Sequence, residues 1–258
     1  MTSARRKGAS RAADIPPEVL ERLSLGEISA LTLTECLAVD QARLLRRVFP
    51  ELSADTLALA DAACQQGILK RMAAIAQLLW SACGPAALAR CRDHAADTVR
   101  GWACFMIGAA PGLSLEARLD AIAPLADDDH FGVREWAWMA LRPALTGQLG
   151  DAIAQLTPWT ASPSERLRRF ACEALRPRGV WCAHLAALKR DPALALPILQ
   201  ALRADPAVYV QDSVANWLND AGKDQGEWVR SLCARWQQEA EGDASTRRIC
   251  QRALRNLA

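Results

Sequence analysis

A short phrase that returns along the chain decides the fold. It reads VRGWA at residues 99–103 and VREWA at 133–137, then LRRFA at 167–171, VQDSV at 210–214 and, more weakly, TRRIC at 246–250. Successive copies begin 34, 34, 43 and 36 residues apart (133−99, 167−133, 210−167 and 246−210). A period of this size, with a helix pair in each copy, is typical of HEAT-like helical repeats.

The segments between these copies have apolar residues at helical spacing, and proline or glycine marks the breaks. Pro16 and Pro17 open the first helix, where proline costs least because the first helical N–H has no partner in any case. No segment convincingly resembles a strand. The sequence therefore predicts an all-α solenoid of antiparallel helix pairs with a concave groove, as a single domain over residues 15–258. Residues 1–14 are predicted to be a disordered basic tail.

Composition limits the class of protein. The chain has 258 residues, 51% of them hydrophobic, which is enough for a packed core, and its net charge is only +2. None of the nine cysteines forms a C-x-x-C pair, so a zinc ribbon is not indicated. No apolar run reaches the ~20 residues of a membrane span, and the N-terminus lacks the apolar core of a signal peptide. We expect a cytoplasmic monomer that does not bind membranes.

Charged residues on the second helices recur at one phase, because residues four apart share a helix face. The residues at this phase come from three successive copies: Asp212, Asn216 and Asp220, then Arg169 and Glu173, then Glu135. The spacing leaves two interpretations open. The carboxylates could line one concave surface, or they could be ordinary solvated residues.

Two phrases in the C-terminal half resemble the AlkC family of DNA alkylation-repair glycosylases. Residues 212–220, DSVANWLND, followed by KD at 223–224, look like the family's S-V-A-N-x-L-N-D-x-x-K-D phrase. Residues 173–181, EALRPRGVW, are similar to its E-G-x-R-P-R-L-P-W phrase. The resemblance is specific between residues 165 and 228.

Looser similarity extends the resemblance over residues 30–258. DPALALPIL at 191–199 resembles the D-P-x-x-x-x-P-I-L link of the family, EWA at 135–137 echoes its E-F-A element, and LTECLAVD at 33–40 resembles its N-terminal helix. Some members carry an additional C-terminal immunoglobulin-like domain, and this sequence is expected to be the short form without it. The sequence departs from the family phrases at three places: Trp217, the pair Gly179 and Val180, and the pair Ala174 and Leu175.

The resemblance implies a function. It implies double-stranded DNA as the substrate and hydrolysis of the N-glycosidic bond of cationic alkylated bases, chiefly N3-methyladenine and also N3-methylcytosine. It also implies that no metal and no organic cofactor take part. The acidic and aromatic site residues of the family match Asp220, Glu173, Trp181 and Glu135 in this sequence.

These residue types suit that chemistry. A cationic base is already a good leaving group, and the sugar becomes oxocarbenium-like as the bond breaks. A carboxylate near the sugar stabilises this charge, and a second can orient or deprotonate water. An indole face adds cation–π attraction. The stripe contains no lysine that could form a Schiff base, so we expect a monofunctional glycosylase that does not cleave the strand.

Phosphate contacts are expected from basic residues around these motifs, because such contacts position a protein on DNA without specifying sequence. Arg176 and Arg178 are the strongest candidates, since they flank Pro177 in a loop. The full predicted set is Arg169, Arg176, Arg178, Lys189, Lys223 and Arg248.

Two other functions stay open. A HEAT-like chain can be a non-catalytic scaffold that binds nucleic acid or protein. Clustered carboxylates argue against a purely nucleic-acid-binding role, because they repel phosphates. A metal-dependent nuclease is disfavoured, since the only histidines, His94, His130 and His184, do not form a paired ligand motif.

Overall fold

The computed structural model describes residues 6–179 and 181–257. In these ranges the chain forms fifteen α-helices and three short 3-10 helices, with no β-strand, which confirms the all-α prediction. The α-helices are α1 (Pro17–Ser24), α2 (Leu33–Ala38), α3 (Gln41–Val48), α4 (Ala54–Cys64), α5 (Ile68–Arg92), α6 (Asp97–Ala109), α7 (Leu115–Ala126), α8 (Phe131–Gly147), α9 (Leu149–Leu156), α10 (Glu165–Glu173), α11 (Ala186–Arg190), α12 (Leu196–Ala201), α13 (Val208–Gly222), α14 (Gly226–Glu239) and α15 (Ala244–Ala253). The 3-10 helices are Ala12–Asp14, Thr157–Ala161 and Pro192–Ala195.

Side-chain caps fix where many of these helices begin. Helix α1 begins at Pro17, as the sequence predicts. Ser114 and Ser164 accept backbone N–H groups at the starts of α7 and α10. Each such cap satisfies an N–H that has no partner inside the helix, and is worth about 1 kcal/mol. Similar caps begin four other helices, at Thr32, Asp40, Ser53 and Asp243.

Internal contacts divide the chain into two compact units. Unit 1 comprises Met1–Gly112 and Asp128–Ala140, and unit 2 comprises Leu113–Asp127 and Leu141–Ala258. Unit 1 therefore holds α1 to α6, and unit 2 holds α7 and α9 to α15, while α8 contributes residues to both. The sequence had suggested one domain over residues 15–258.

Helix α5 is the one helix of the described residues that is long and apolar enough to meet the length and composition criteria of a membrane span. It is interrupted at Gly84, which has non-helical angles of φ 58° and ψ −146° immediately before Pro85. Its residues Met72, Ile75 and Leu79 are fully buried, and the helix packs against α4 and α6. A core helix of a soluble protein meets the same criteria.

Buried tryptophans anchor both cores, and the indole N–H groups of Trp102, Trp236 and Trp217 each have an acceptor. In unit 1, Trp102 Nε1 donates to Gln41 Oε1 at 3.1 Å. In unit 2, Trp236 Nε1 donates to Gln200 Oε1 at 2.7 Å. Trp217 is 1% exposed, and its Nε1 donates to the Leu175 carbonyl at 2.9 Å. Because large apolar area is buried without an unpaired donor, these residues favour a single packed arrangement.

The second residue of the recurring phrase ties consecutive copies together. In unit 1, Arg100 Nη1 donates to the carbonyls of His94 and Ala95, both at 2.8 Å. Its Nε and Nη2 donate to the two carboxylate oxygens of Asp128, at 2.7 and 3.1 Å. Asp128 lies six residues before Arg134, the equivalent arginine of the next copy, which donates to the Asp128 carbonyl at 2.7 Å.

The same pattern returns in unit 2. Arg168 donates to the carbonyls of Ser162 and Pro163 and, through Nε and Nη2, to Asp205 at 2.6 and 3.0 Å. Asp205 lies six residues before Gln211, whose Nε2 donates to the Asp205 carbonyl at 2.8 Å. The phrase therefore recurs because its second side chain holds its own turn and reaches the acidic turn of the following copy.

The predicted N-terminal tail is only partly described, since residues 1–5 lie outside the described residues. Residues 6–14 contact α2 rather than lying free. Arg6 Nη1 pairs with the buried Glu35 at 2.6 Å, and the Ala9 N–H donates to the same carboxylate at 3.1 Å. Thr32 Oγ1 donates to the Ala9 carbonyl at 2.6 Å. This part of the segment is held because it supplies the partners of a buried acid.

Candidate active site

Two of the predicted acidic residues lie at the ends of packed helices in unit 2. Glu173 is the last residue of α10, and Asp220 lies in the last turn of α13. Helices α10 and α13 pack against each other. Both acids are nearly inaccessible, with 3% and 5% of their surface exposed. Buried carboxylates need charged or hydrogen-bonding partners, and this site provides them.

Arg176 joins the two carboxylates. Its Nη1 donates to Glu173 Oε1 at 2.7 Å. Its Nε and Nη2 both donate to Asp220 Oδ2, at 2.9 and 2.7 Å. Burial disfavours the charged guanidinium, but the charges of Glu173 and Asp220 outweigh this effect and hold the pKa of Arg176 above its ordinary value. The two acids therefore meet at one cation.

Glu173 has further partners that keep it ionised. Ser213 Oγ donates to Glu173 Oε2 at 2.5 Å, and Arg169 Nη2 lies 3.7 Å from the same oxygen. Burial alone would raise the pKa of Glu173, but the charges of Arg169 and Arg176 and the bond from Ser213 prevail, so its pKa lies below the ordinary value. Glu173 is a carboxylate at neutral pH.

Asp220 is bound unequally at its two oxygens. Oδ2 accepts both bonds from Arg176, whereas Oδ1 accepts one bond from Lys223 Nζ at 3.2 Å. The Lys223 side chain is 47% exposed, while that of Arg176 is 14% exposed. A half-exposed lysine is weakly held, so Oδ1 is the more weakly bound oxygen.

The acidic stripe predicted on α13 is divided between two neighbours. Asp212 pairs with Arg248 of α15 at 2.7 Å, whereas Asp220 faces α10 together with Ser213. A helix turns by about 100° per residue, so Asp220 lies about 20° from Ser213 but about 80° from Asp212. A spacing of four therefore drifts off one face when it is repeated twice.

The loop between α10 and α11, residues 174–185, is held by the buried Arg142. Its Nη1 donates to the Ala174 carbonyl at 2.9 Å, its Nη2 to the Arg176 carbonyl at 2.5 Å, and its Nε to the Ala183 carbonyl at 3.2 Å. Burial lowers the pKa of Arg142. A Cβ on Gly179 would lie 3.0 Å from the Arg142 guanidinium carbon, so glycine allows this close approach.

Trp181 lies in the same loop with an unusual backbone. Its φ is 62°, in the left-handed region that bulky residues rarely adopt, and 48% of its surface is exposed. Its neighbour Val180, the other half of the departure from the family phrase, lies outside the described residues. A strained residue persists where its surroundings fix it, and such residues cluster at functional sites. Here the bonds of Arg142 on either side of Trp181 fix the loop.

Glu135, the fourth predicted site residue, belongs to unit 1. It is half-buried in α8 and accepts a hydrogen bond from Trp138 Nε1 at 2.8 Å. The structure thus brings Glu173 and Asp220 together in unit 2, with Trp181 on the adjoining loop.

The predicted phosphate-binding residues have protein partners in unit 2. Arg169 stacks over the Tyr209 ring at 4.5 Å from its centre. Arg178 and Lys189 both pair with Asp224, at 3.0 and 3.7 Å. The remaining members are bound by the acids described above, Arg176 and Lys223 by Asp220 and Arg248 by Asp212.

Two residues of this site were not predicted from the sequence, Ser213 and Arg142. Ser213 carried a usable signal, because seven residues separate it from Asp220 and such a pair shares a helix face. Arg142 carried none that we can identify, since its partners are backbone carbonyls up to 41 residues away.

One group of metal-ligand atoms occurs among the described residues, in unit 1. It consists of Cys36, Asp97 and His130, with ligand atoms within 4.8 Å of one another. His130 Nδ1 accepts the Gly132 N–H at 3.1 Å, and its Nε2 is 2.6 Å from the Ala30 carbonyl. This pairing requires the proton on Nε2, which leaves neither nitrogen with an unused lone pair. As arranged, the group is a hydrogen-bonded cluster.

The repeated helix pairs give the chain a HEAT-like helical-repeat fold, which it shares with solved structures of AlkC and AlkD2. It is similar to Pseudomonas fluorescens alkylpurine DNA glycosylase AlkC, solved bound to DNA containing an abasic site analog, with a TM-score of 0.68 and 26% identity. That similarity covers 97% of this chain and 65% of the AlkC chain, so this chain spans less than two thirds of its relative. The resemblance predicted from the sequence is confirmed.

Other comparisons agree in fold. AlkD2 from Streptococcus mutans is 19% identical with a TM-score of 0.54, covering 84% of this chain and 97% of that one. Protein smu.31 from Streptococcus mutans UA159 is 20% identical with a TM-score of 0.53, covering 83% of this chain and 96% of that one.

In sequence, the uncharacterized protein YhaZ of Bacillus subtilis (strain 168) is 42% identical over 97 residues, which are 38% of this chain and 27% of YhaZ. No family model matches the sequence.

Proposed function

We propose that this protein is a monofunctional DNA glycosylase that removes cationic alkylated bases, N3-methyladenine foremost and N3-methylcytosine second, from double-stranded DNA. One observation carries the proposal. Two buried carboxylates, Glu173 and Asp220, come from different helices and meet at the guanidinium of Arg176, in a chain similar in structure to AlkC. The proposal extends to this N-glycosidic bond the arrangement of paired carboxylates that hydrolyses O-glycosides.

The reaction begins with departure of the base. The C1′–N bond breaks and its electron pair goes to the ring nitrogen, which neutralises the cationic base. The sugar is left oxocarbenium-like. Asp220 Oδ1 is bound only by the half-exposed Lys223, and the negative charge of this carboxylate stabilises the sugar. In a site that excludes water, such electrostatic stabilisation is usually the largest contribution to rate.

Water then completes the hydrolysis. Its oxygen bonds to C1′, and its proton passes to Asp220 or on to solvent, giving an abasic site and the free base. Glu173 is held ionised by Arg169, Arg176 and Ser213. It therefore adds negative charge beside the sugar and orients the water instead of donating a proton.

Trp181 completes the proposed site in unit 2. The half-exposed indole of Trp181 offers a flat surface for the deoxyribose or the base, where its attraction to positive charge grows as the bond breaks. Glu135 belongs to unit 1 and remains a candidate site residue on the resemblance to AlkC alone. The predicted cations Arg178, Lys189, Lys223 and Arg248 are proposed to contact phosphates, whereas Arg169, whose side chain is 13% exposed beside Glu173, is assigned to holding that acid.

A non-catalytic scaffold is the second candidate, and one observation favours it. The negative charges of both acids are already balanced by cations inside the protein. Arg176 and Lys223 pair with Asp220, and Arg176 and Arg169 pair with Glu173. A network of this kind also stabilises a fold without any chemistry. The two candidates differ in whether the Asp220 charge matters for bond cleavage or only for folding.

The experiment is to incubate the purified protein with methylated duplex DNA and separate the released bases by chromatography. We expect free N3-methyladenine, and strand breaks only after the abasic product is treated with alkali. If no base is released at enzyme concentrations that saturate binding, the glycosylase is rejected and the scaffold is favoured.

We also expect a cytoplasmic monomer. All nine cysteines are unpaired, as a reducing compartment would keep them.

A further inference from the structure

We propose that Arg176 is a positioning residue that fixes Asp220 and Glu173 relative to each other and so presents one oxygen of Asp220 to the substrate. This inference rests on the proposed function. It differs from the prediction that Arg176 contacts phosphate. The loop position of Arg176 beside Pro177 predicts a phosphate ligand, whereas the structure places its guanidinium against two buried acids.

The guanidinium is committed to the two acids. Three of its nitrogens donate to Glu173 and Asp220 at 2.7 to 2.9 Å, and the side chain is 14% exposed. A phosphate could take this cation only by breaking charge-assisted bonds in a buried site, which are about twice as strong as neutral ones. Arg176 is therefore a poor phosphate ligand and a strong tether between α10 and α13.

The tether is itself anchored through its backbone. Arg142 Nη2 donates to the Arg176 carbonyl at 2.5 Å, and Arg142 Nη1 donates to the Ala174 carbonyl at 2.9 Å. The backbone of Arg176 and its guanidinium are thus held by separate groups, which limits the rotamers open to the side chain. A fixed side chain keeps a reacting group in productive geometry.

The tether also distinguishes the two oxygens of Asp220. Both Arg176 bonds end on Oδ2, so the carboxylate cannot rotate without losing them. Oδ1 then points to the half-exposed Lys223, which a nearby DNA phosphate can attract away. Oδ2 has a structural task and Oδ1 a chemical one. Only a forked donor serves this arrangement, because a lysine at position 176 would offer a single charged centre in place of the planar fork.

The test compares Arg176→Lys and Arg176→Gln with Arg178→Gln and the remote Arg230→Gln. Arg178 lies on the same loop as Arg176 and pairs with Asp224, whereas Arg230 forms an exposed pair with Glu227. Each folded variant is assayed for single-turnover release of N3-methyladenine with enzyme in excess. Affinity for a duplex carrying a tetrahydrofuran abasic analogue is measured across a range of salt. Thermal unfolding reports the folded fraction.

We expect both Arg176 variants to release base about tenfold more slowly or worse, since bonds to a charged group are lost. Their affinity for the abasic duplex and its salt dependence should stay within about twofold of wild type. Arg178→Gln should instead weaken binding and flatten the salt dependence, and Arg230→Gln should behave as wild type. A normal rate in folded Arg176 variants would overturn the proposal. A salt slope reduced by about one in the same variants would then identify Arg176 as a phosphate ligand.

A measurement without DNA separates this inference from the proposed function. The groups around Glu173 are Arg169 on its own helix, Arg176 and Arg142 on neighbouring segments, and Asp220 on α13. Removing the Arg176 charge should move the Glu173 titration, followed by carbon-13 NMR of the carboxyl group, to higher pH. An unmoved titration in Arg176→Gln would overturn the tether even if wild type released no base. If Arg176→Gln does not fold, Arg176→Lys is assayed alone, and a normal rate of base release by this variant would overturn the proposed role of Arg176.

If wild type shows no base release, the glycosylase proposal fails on that result alone. The titration still decides whether Arg176 sets the state of Glu173. If wild type is active and both Arg176 variants are equally active, the glycosylase stands and the tether is rejected.

Discussion

Gly179 lies where the loop after α10 passes closest to a buried cation. An alanine Cβ there would lie 3.0 to 3.3 Å from three atoms of the Arg142 guanidinium, whose nitrogens are bonded to three carbonyls. The guanidinium cannot move without losing a bond. We expect Gly179→Ala to lower the free energy of unfolding by about 1–3 kcal/mol, measured by urea denaturation.

Gly150 provides the matched control for this substitution. It lies in the first turn of α9, and no atom comes within 4 Å of the position that an alanine Cβ would take there. Gly150→Ala should be neutral or should raise the free energy of unfolding by up to about 1 kcal/mol, because alanine restricts the unfolded chain. If Gly179→Ala matched Gly150→Ala, close packing of the loop on Arg142 would be refuted.

Glu173 should make stability depend on acid pH. Its pKa is held below the ordinary value of 4.5, so the unfolded state binds a proton more readily than the folded state. Its stabilising contribution is complete above the ordinary value and is lost as pH falls through the lower, folded pKa. We expect Glu173→Gln to be less stable at neutral pH, with the difference from wild type shrinking under acid conditions. Urea midpoints between about pH 7 and pH 3 test this, and parallel curves would contradict it.

At the level of elements, the repeat is held by arginines that link one copy to the next. Arg168 is the clearest example, since its side chain is 14% exposed and that of its partner Asp205 is 4% exposed. Removing the arginine leaves a buried carboxylate without its counter-charge. We expect Arg168→Ala to cost about 3–5 kcal/mol of unfolding free energy.

Arg230→Ala is the control for that prediction. Its partner Glu227 is 81% exposed, and such surface pairs contribute at most about 1 kcal/mol. Chemical denaturation of both variants provides the comparison. Equal losses for Arg168→Ala and Arg230→Ala would show that the arginines of the phrase are not what holds successive copies together.

The elements also indicate what the sequence could predict. Helices follow from local signals, so Pro17 begins α1 as predicted, and Gly84 before Pro85 interrupts α5. The recurring phrase was recognisable because Arg100 and Arg168 form equivalent bonds in two of its copies. The role of Trp217 was open, and the structure assigns it to the core, since its N–H bonds the Leu175 carbonyl across the α10–α13 contact.

The site was predicted less completely than the fold. Glu173 and Asp220 were selected by resemblance, and the structure brings them together. The spacing of four residues could not assign their partners, because repeated steps of four drift around the helix. Nor could it show that Arg176, in a loop, turns inward to an acid 44 residues away. Such pairings are decided by packing between helices and leave no local signal.

For the whole molecule, the central claim is that the charge of Asp220 acts on the sugar during bond cleavage. Asp220→Asn keeps the size of the side chain and one carbonyl oxygen, but it removes the negative charge. If the charge acts in the transition state, the rate falls while the ground-state complex is retained. If Asp220 is only a partner for Arg176 and Lys223, stability falls and the rate of the folded protein is unchanged.

The deciding measurement is single-turnover release of N3-methyladenine from methylated duplex by wild type and Asp220→Asn, at enzyme concentrations that saturate binding and with the folded fraction verified by circular dichroism. We predict loss of base release by about a hundredfold or more, with affinity for an abasic-analogue duplex equal to or tighter than that of wild type. Near-normal release by folded Asp220→Asn would contradict the proposed role of this charge.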